Sequence, residues 1–144
     1  MTSKASLGET RPYADAIQRL RGAGLRPTQQ RLALARLIFG SGDRHLTAEQ
    51  LHTEALAARV RVSLATVYNS LHQFVDAGLL REVVVEAGRY YFDTNMGSHH
   101  HFYCLDSGQL ADIPVDGVRL ASLPTPPAGS RIEQVDVVVR VRRV

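Results

Sequence analysis

The chain has 144 residues, 44% apolar and 22% charged, an ordinary balance for a soluble globular protein of one domain or two small ones. No apolar run approaches the roughly 20 residues that cross a bilayer, and residues 1–25 lack the apolar core of a signal peptide, so no membrane partner and a cytoplasmic location are expected. Cys104 is the only cysteine, which excludes an intrachain disulfide. The net charge of +3 is unevenly placed: residues 1–83 carry eleven Arg or Lys against seven acids, whereas residues 84–144 carry six against seven. Sixteen of the seventeen basic residues are arginine, the side chain suited to bidentate phosphate contact, so the N-terminal half is the candidate nucleic-acid face.

Up to about residue 78 the apolar spacing is helical, and beyond residue 80 it is β-like. A first helix is predicted from near Pro12 to Arg21, with Ala14, Ile17 and Leu20 on one face. A second starts after the N-cap Thr28, carries Leu32, Ala35 and Ile38 or Phe39, and stops at Gly40-Ser41-Gly42. A third opens at Thr47-Ala48-Glu49-Gln50, a capping-box pattern, and continues through Leu51, Ala55 and Leu56. The fourth runs from Ser63 to Gly78 with Leu64, Val67, Leu71, Phe74 and Val75 as its buried stripe.

Two strands follow, Leu80–Val85 and Arg89–Phe92, joined by the turn Glu86-Ala87-Gly88. Helices ending in such a hairpin describe a winged helix-turn-helix. After the polar connection Asp93–Ser98 come strand candidates His101–Leu105 and Gln109–Ile113 around the turn Asp106-Ser107-Gly108. Val118–Leu123 is expected as a short helix, and Ile132–Val141 as a central or interfacial strand. The expected fold class is α+β: a winged-helix DNA-binding domain (1–93), a hinge (94–98) and a small α/β dimerisation domain (99–144). A second domain of that size buries little core alone, so a homodimer is expected.

Two stretches carry chemistry. Opposite the apolar stripe of the fourth helix lie Ala65, Thr66, Tyr68, Asn69 and Gln73, small or polar groups able to approach base edges and phosphates. The same pattern also suits a solvated helix face; the wing and the basic bias favour duplex DNA. Arg26, in the turn Gly24-Leu25-Arg26-Pro27, is placed to touch a phosphate or the minor groove. In the β half, His99-His100-His101 places half of the six histidines in a row. Alternation along a strand lets His99 and His101 converge while His100 points away, which makes half of a metal site.

Gly24-Leu25-Arg26-Pro27-Thr28-Gln29-Gln30-Arg31, His45-Leu46-Thr47-Ala48-Glu49-Gln50-Leu51 and Val62-Ser63-Leu64-Ala65-Thr66-Val67-Tyr68-Asn69 resemble the ferric uptake regulator family. The likeness continues through Ala77-Gly78-Leu79-Leu80, Tyr91-Phe92-Asp93 and the histidines to Asp106-Ser107-Gly108. Leu71-His72-Gln73-Phe74, the triplet, and Val135-Asp136-Val137-Val138-Val139-Arg140 are most similar to its iron response regulator branch. The resemblance implies a dimeric metal- or haem-responsive repressor of iron-homeostasis genes that binds an operator through Arg26, Ser63, Ala65, Thr66, Tyr68 and Asn69. It implies a regulatory metal on His45, Asp93, His99, His101 and Asp112. This oxygen and nitrogen set suits Fe²⁺ or Mn²⁺, with Zn²⁺ or Co²⁺ also competent. It also makes His99, His100 or His101 a candidate haem ligand.

The departures matter as well. Many relatives have arginine where this chain has Asn69, and Glu where it has Asp93 or Asp112. A structural zinc on two CxxC pairs is expected to be absent, because position 107 is Ser, and Cys104 is then expected as a buried strand residue. A manganese- or peroxide-sensing member of the same family is the alternative reading. A metalloenzyme using the same histidines is the more distant one; no motif for a nucleophile or general base stands out, so no enzyme is expected.

Overall fold

The computed structural model describes residues 14–144. Residues 14–22 are helical (α1); the expected start of this helix at Pro12 lies outside the described residues. Hydroxyl side chains start the next three helices. Thr28 accepts from the Arg31 amide at α2 (Gln29–Phe39), Thr47 from Gln50 at α3 (Ala48–Ala57), and Ser63 from Thr66 at α4 (Leu64–Asp76). At α3 the Gln50 side chain also accepts from the Thr47 amide, completing the capping box. Each such cap is worth about 1 kcal/mol.

The helices bury one core made of Leu20, Leu34, Ile38, Leu51, Ala55, Val67, Leu71 and Phe74, closed by Leu46 and Phe92 from the strands and by Leu80 in the connection after α4. Several expected core positions are displaced by part of a turn. In α1 the buried residues are Ala16 and Leu20, with Ala14 exposed; in α2, Leu34 replaces Leu32. Leu56 and Leu64 are exposed, and Val75 is half-buried, while the small polar Ser70 takes a buried place beside Leu71. Apolar spacing fixes a face only to within one neighbour, and the packing of α3 against α4 picks Ala55 over Leu56.

The hairpin is present as β2 (Arg81–Glu86) and β3 (Arg89–Asp93). A two-residue strand that periodicity did not reveal, β1 (His45–Leu46), joins it antiparallel, giving the order β1-β3-β2. Arg44 anchors that short strand. Its amide donates to Thr94 Oγ1 (2.8 Å), its carbonyl accepts from the Thr94 amide (3.1 Å), and its guanidinium holds Glu54 of α3 through two bonds of 2.8 and 2.7 Å.

The chain divides into two units, the first ending at Met96 and the second running from Gly97 to Val144. The second unit is a sheet in the order β5-β4-β6, with β4 (His100–Cys104) antiparallel to β5 (Leu110–Ile113) and parallel to β6 (Val138–Val141). The expected helix over Val118–Leu123 does not form; the helical turn is instead a 3-10 turn at Val115–Gly117. Arg119–Leu123 is exposed throughout and Pro124 follows, so a helix there has neither a face to bury nor room to continue. The expected strand from Ile132 is confined to Val138–Val141 and lies at the edge, because its pairing starts where the His101 amide meets the Val137 carbonyl. Before that point the chain is mostly exposed, and Gln134 closes onto the Asp136 carboxylate. Cys104 is half-buried at the end of β4. The Ser107 hydroxyl, with the Ser107 and Asp106 backbone, holds its thiol below the ordinary value. No helix among the described residues is long and apolar enough to cross a membrane.

The Arg44–Glu54 bridge sets a pH dependence. The Arg44 hydrogen bond lowers the Glu54 carboxyl from its ordinary value, so the pair stabilises the fold above the unfolded-state value and is lost as pH falls through the lower folded one. We expect Glu54→Gln to lower the melting temperature at pH 7 by an amount equivalent to about 1 kcal/mol, given the partial exposure of both partners. The wild-type advantage should shrink progressively as scans go below about pH 4, the ordinary carboxylate range; an equal deficit at pH 7 and at the lowest pH scanned would refute this role.

Candidate metal centre and nucleic-acid interface

In the first unit, the β1–β3 register sets His45 directly opposite Asp93. Opposed residues of an antiparallel pair share a face, and His45 Nε2 lies 3.2 Å from Asp93 Oδ2. The carboxylate is 1% exposed. Its other oxygen accepts from the Asn95 amide at 2.9 Å, an Asx-type turn that orients it. On the other side of β3 the register places the buried Arg81 of β2 opposite Asp93. The sheet therefore carries the row His45–Asp93–Arg81, with the acid between two basic side chains.

In the second unit, β4 and β5 pair His101 with Asp112. Asp112 Oδ1 lies 3.3 Å from His99 Nε2 and 3.4 Å from His101 Nε2, and the two rings meet edge-on with centroids 4.6 Å apart. His99 Nδ1 donates to the Gly97 carbonyl (2.6 Å), which turns the ring so that Nε2 is directed at Asp112. His100, the middle of the triplet, instead uses Nδ1 to accept from the Val137 amide (3.1 Å) and so tethers β6.

These donors fit a small divalent ion. Donor atoms about 2.1 Å from one ion lie about 3.0–3.4 Å apart when adjacent, which matches the separations around Asp112. Two imidazoles and a carboxylate suit Fe²⁺, Mn²⁺, Zn²⁺ or Co²⁺. The fit to haem is poorer, because His101 is 1% exposed and both His99 and His101 aim Nε2 at a carboxylate rather than at an open face.

On the helical side, Ala65 and Asn69 of α4 are exposed and Thr66 and Tyr68 half-buried. The Ser63 hydroxyl is occupied in capping, accepting from the Thr66 amide and donating to Thr66 Oγ1. Tyr68 donates to Glu49 Oε1 at 2.6 Å, which raises its phenol above the ordinary value and fixes the ring's direction. Arg31 ties the Arg26 turn to α4: its guanidinium donates to the Arg26 carbonyl (2.9 Å) and to Gln73 Oε1 (3.0 Å). Arg26 itself is exposed. Arg31, Glu49, Arg81 and Asn95 were not among the sequence candidates. Arg31 and Glu49 lie inside the family-like segments, and Asn95 is marked as the second residue after an aspartate; Arg81 left no such trace.

Comparisons with known proteins agree on one family. The model described as "Ferric uptake regulator family" matches residues 22–127. The "Ferric uptake regulation protein" of Cupriavidus metallidurans is 39% identical over 94 residues, 65% of this chain and 66% of that protein. Among solved structures, the ferric uptake regulator of Pseudomonas aeruginosa with manganese superposes with a TM-score of 0.68 at 28% identity, over 89% of this chain and 97% of that one. The Vibrio cholerae ferric uptake regulator gives 0.69 at 25% identity, over 88% and 98%.

Replacing His101 with Ala should weaken Mn²⁺ or Co²⁺ binding by at least about tenfold, the scale of losses at metal-site side chains. Calorimetry and the visible absorption of bound Co²⁺ measure this directly, and an unchanged affinity would move the ion away from the second unit's cluster.

Proposed function

The chain belongs to the ferric uptake regulator family, and on that premise we propose that it is a homodimeric repressor of iron-homeostasis genes, working in the cytoplasm. It is a DNA-binding transcriptional regulator and not an enzyme. Its hold on operator DNA depends on a divalent metal, Fe²⁺ or Mn²⁺. The observation that carries the reading is the His99–His101–Asp112 cluster, two imidazole nitrogens at coordination spacing from one carboxylate oxygen.

We assign the ion's ligands to both units: His99, His101 and Asp112 from one, His45 and Asp93 from the other, with residues 94–98 as the hinge. When bound, the ion supplies positive charge that favours whichever arrangement lets these donors share it. His99 and Asp93 are already oriented by Gly97 and Asn95, so little side-chain freedom has to be lost on binding. Operator contact falls to Arg26, Ser63, Ala65, Thr66, Tyr68 and Asn69. The uncharged Asn69 is suited to adenine rather than to phosphate.

The dimer is supported by the second unit's shortage of core. Tyr103 and Ile113 are its buried apolar residues, whereas Phe102 and Val139, register partners on β4 and β6, are each 37% exposed. Placement in the iron response regulator branch rests on the histidine triplet and on the segments around Leu71 and Val135; the relatives matched support the family, not the branch. A haem response, if the branch holds, falls on His100, the triplet member whose Nε2 is not directed at Asp112. A manganese- or peroxide-sensing role uses the same site and differs in the signal.

Gel shifts on an iron-regulated promoter with Mn²⁺, with chelator and with haemin test the function. Metal-dependent retention that His45→Ala abolishes is the expected result, and no retention under any condition would sink the regulator reading. For assembly, Phe102→Glu should convert a dimer to monomer in sedimentation; a variant that stays dimeric would place the contact elsewhere.

A further inference from the structure

Three helices of the first unit end in the same pair of backbone hydrogen bonds, and one of them breaks the residue rule for that motif. At the end of α1, the Leu25 amide reaches the Leu20 carbonyl and the Gly24 amide reaches Arg21. At the end of α4, Leu79 reaches Phe74 and Gly78 reaches Val75. At the end of α3, Val60 reaches Ala55 (2.8 Å) and Arg59 reaches Leu56 (3.1 Å). The motif needs a left-handed residue just past the cap, and glycine takes that conformation at least cost. Gly24 and Gly78 do so at φ 78° and 80°, but the third position is Arg59 at φ 59°, the one non-glycine with positive φ among the described residues.

The turn itself has no use for a guanidinium, since its bonds are all backbone. What Arg59 adds is placed by the next residues. Val60 and Val62 turn inward and pack on the core, while Arg59, Arg61 and Ser63 are exposed. Among the described residues neither guanidinium is engaged by a hydrogen bond or an ion pair. Both lead directly into the N-cap of α4, a thirteen-residue helix whose first amides add positive partial charge.

We propose that Arg59, with Arg61 beside it, is a contact for the phosphodiester backbone of duplex DNA next to the groove that α4 enters, and that left-handed strain is retained at residue 59 to hold that charge. The inference rests on the reading of α4 as the DNA-reading helix. A guanidinium there gives bidentate contact with phosphate oxygens, and each phosphate neutralised contributes about 0.9 to the slope of log K against log salt.

The test uses the full chain and a labelled mixed-sequence duplex, read by fluorescence anisotropy over a salt series with Mn²⁺ present. Arg59→Gly should raise the melting temperature, because the strain is gone, and at the same time lower duplex affinity and reduce the salt slope by about one. Arg59→Asn, which tolerates the left-handed conformation without charge, should show the same loss, and Arg59→Lys should retain the slope. If the wild type binds and the glycine and asparagine variants keep its affinity and slope, the contact is refuted while the regulator reading stands. If the wild type binds no duplex, the regulator reading fails and this contact fails with it.

Discussion

Burying the Asp93 carboxylate constrains much of the first unit, because an isolated carboxylate in a low-dielectric interior is expensive unless it is paired and hydrogen-bonded. The compensation comes from separate pieces of chain, the imidazole of His45 on β1 and the amide of Asn95 just beyond β3, while the register sets the buried Arg81 of β2 opposite the acid. A two-residue strand such as β1 has little stability of its own. It is held in register by Arg44, which pairs with Thr94 through its backbone and with Glu54 of α3 through its side chain. The connection between α2 and α3 is thereby fixed to the wing, and the Asp93 carboxylate, proposed above as a metal ligand, is oriented by the Asn95 amide.

The second unit solves a different problem with fewer resources. Its sheet buries Tyr103 and Ile113, and two of its other buried side chains are the imidazoles of His99 and His101. An apolar core of that size is marginal. The His100 ring tethers β6 by accepting from Val137, so two members of the triplet face Asp112 while the third supports the sheet. Ser107, the third residue after β4, sets its hydroxyl against the Cys104 thiol.

On the helical face, side chains proposed to contact DNA are themselves held by neighbours. Glu49 fixes the Tyr68 hydroxyl, and Arg31 links the Arg26 turn to Gln73 of α4. Pre-ordering of this kind lowers the entropy lost on binding. Arg59 shows the opposite balance, a residue that costs local stability where the same motif elsewhere in the chain uses glycine.

The sequence by itself determined the helix starts, through Thr28, Thr47 and Ser63, and the α+β order of elements, because caps and periodicity are local properties. It also determined the family, since the motifs persist in order along the chain, and it set His99 and His101 on one face by alternation. Tertiary structure decided what depends on partners distant in sequence. The pairing of β1 with β3 that brings His45 to Asp93, the register that sets Asp112 against His101, and the restriction of β6 to Val138–Val141 all follow from strand pairing. Strand propensity says that a segment can pair, but the identity and register of its neighbour are set by the long-range contacts that bury each face.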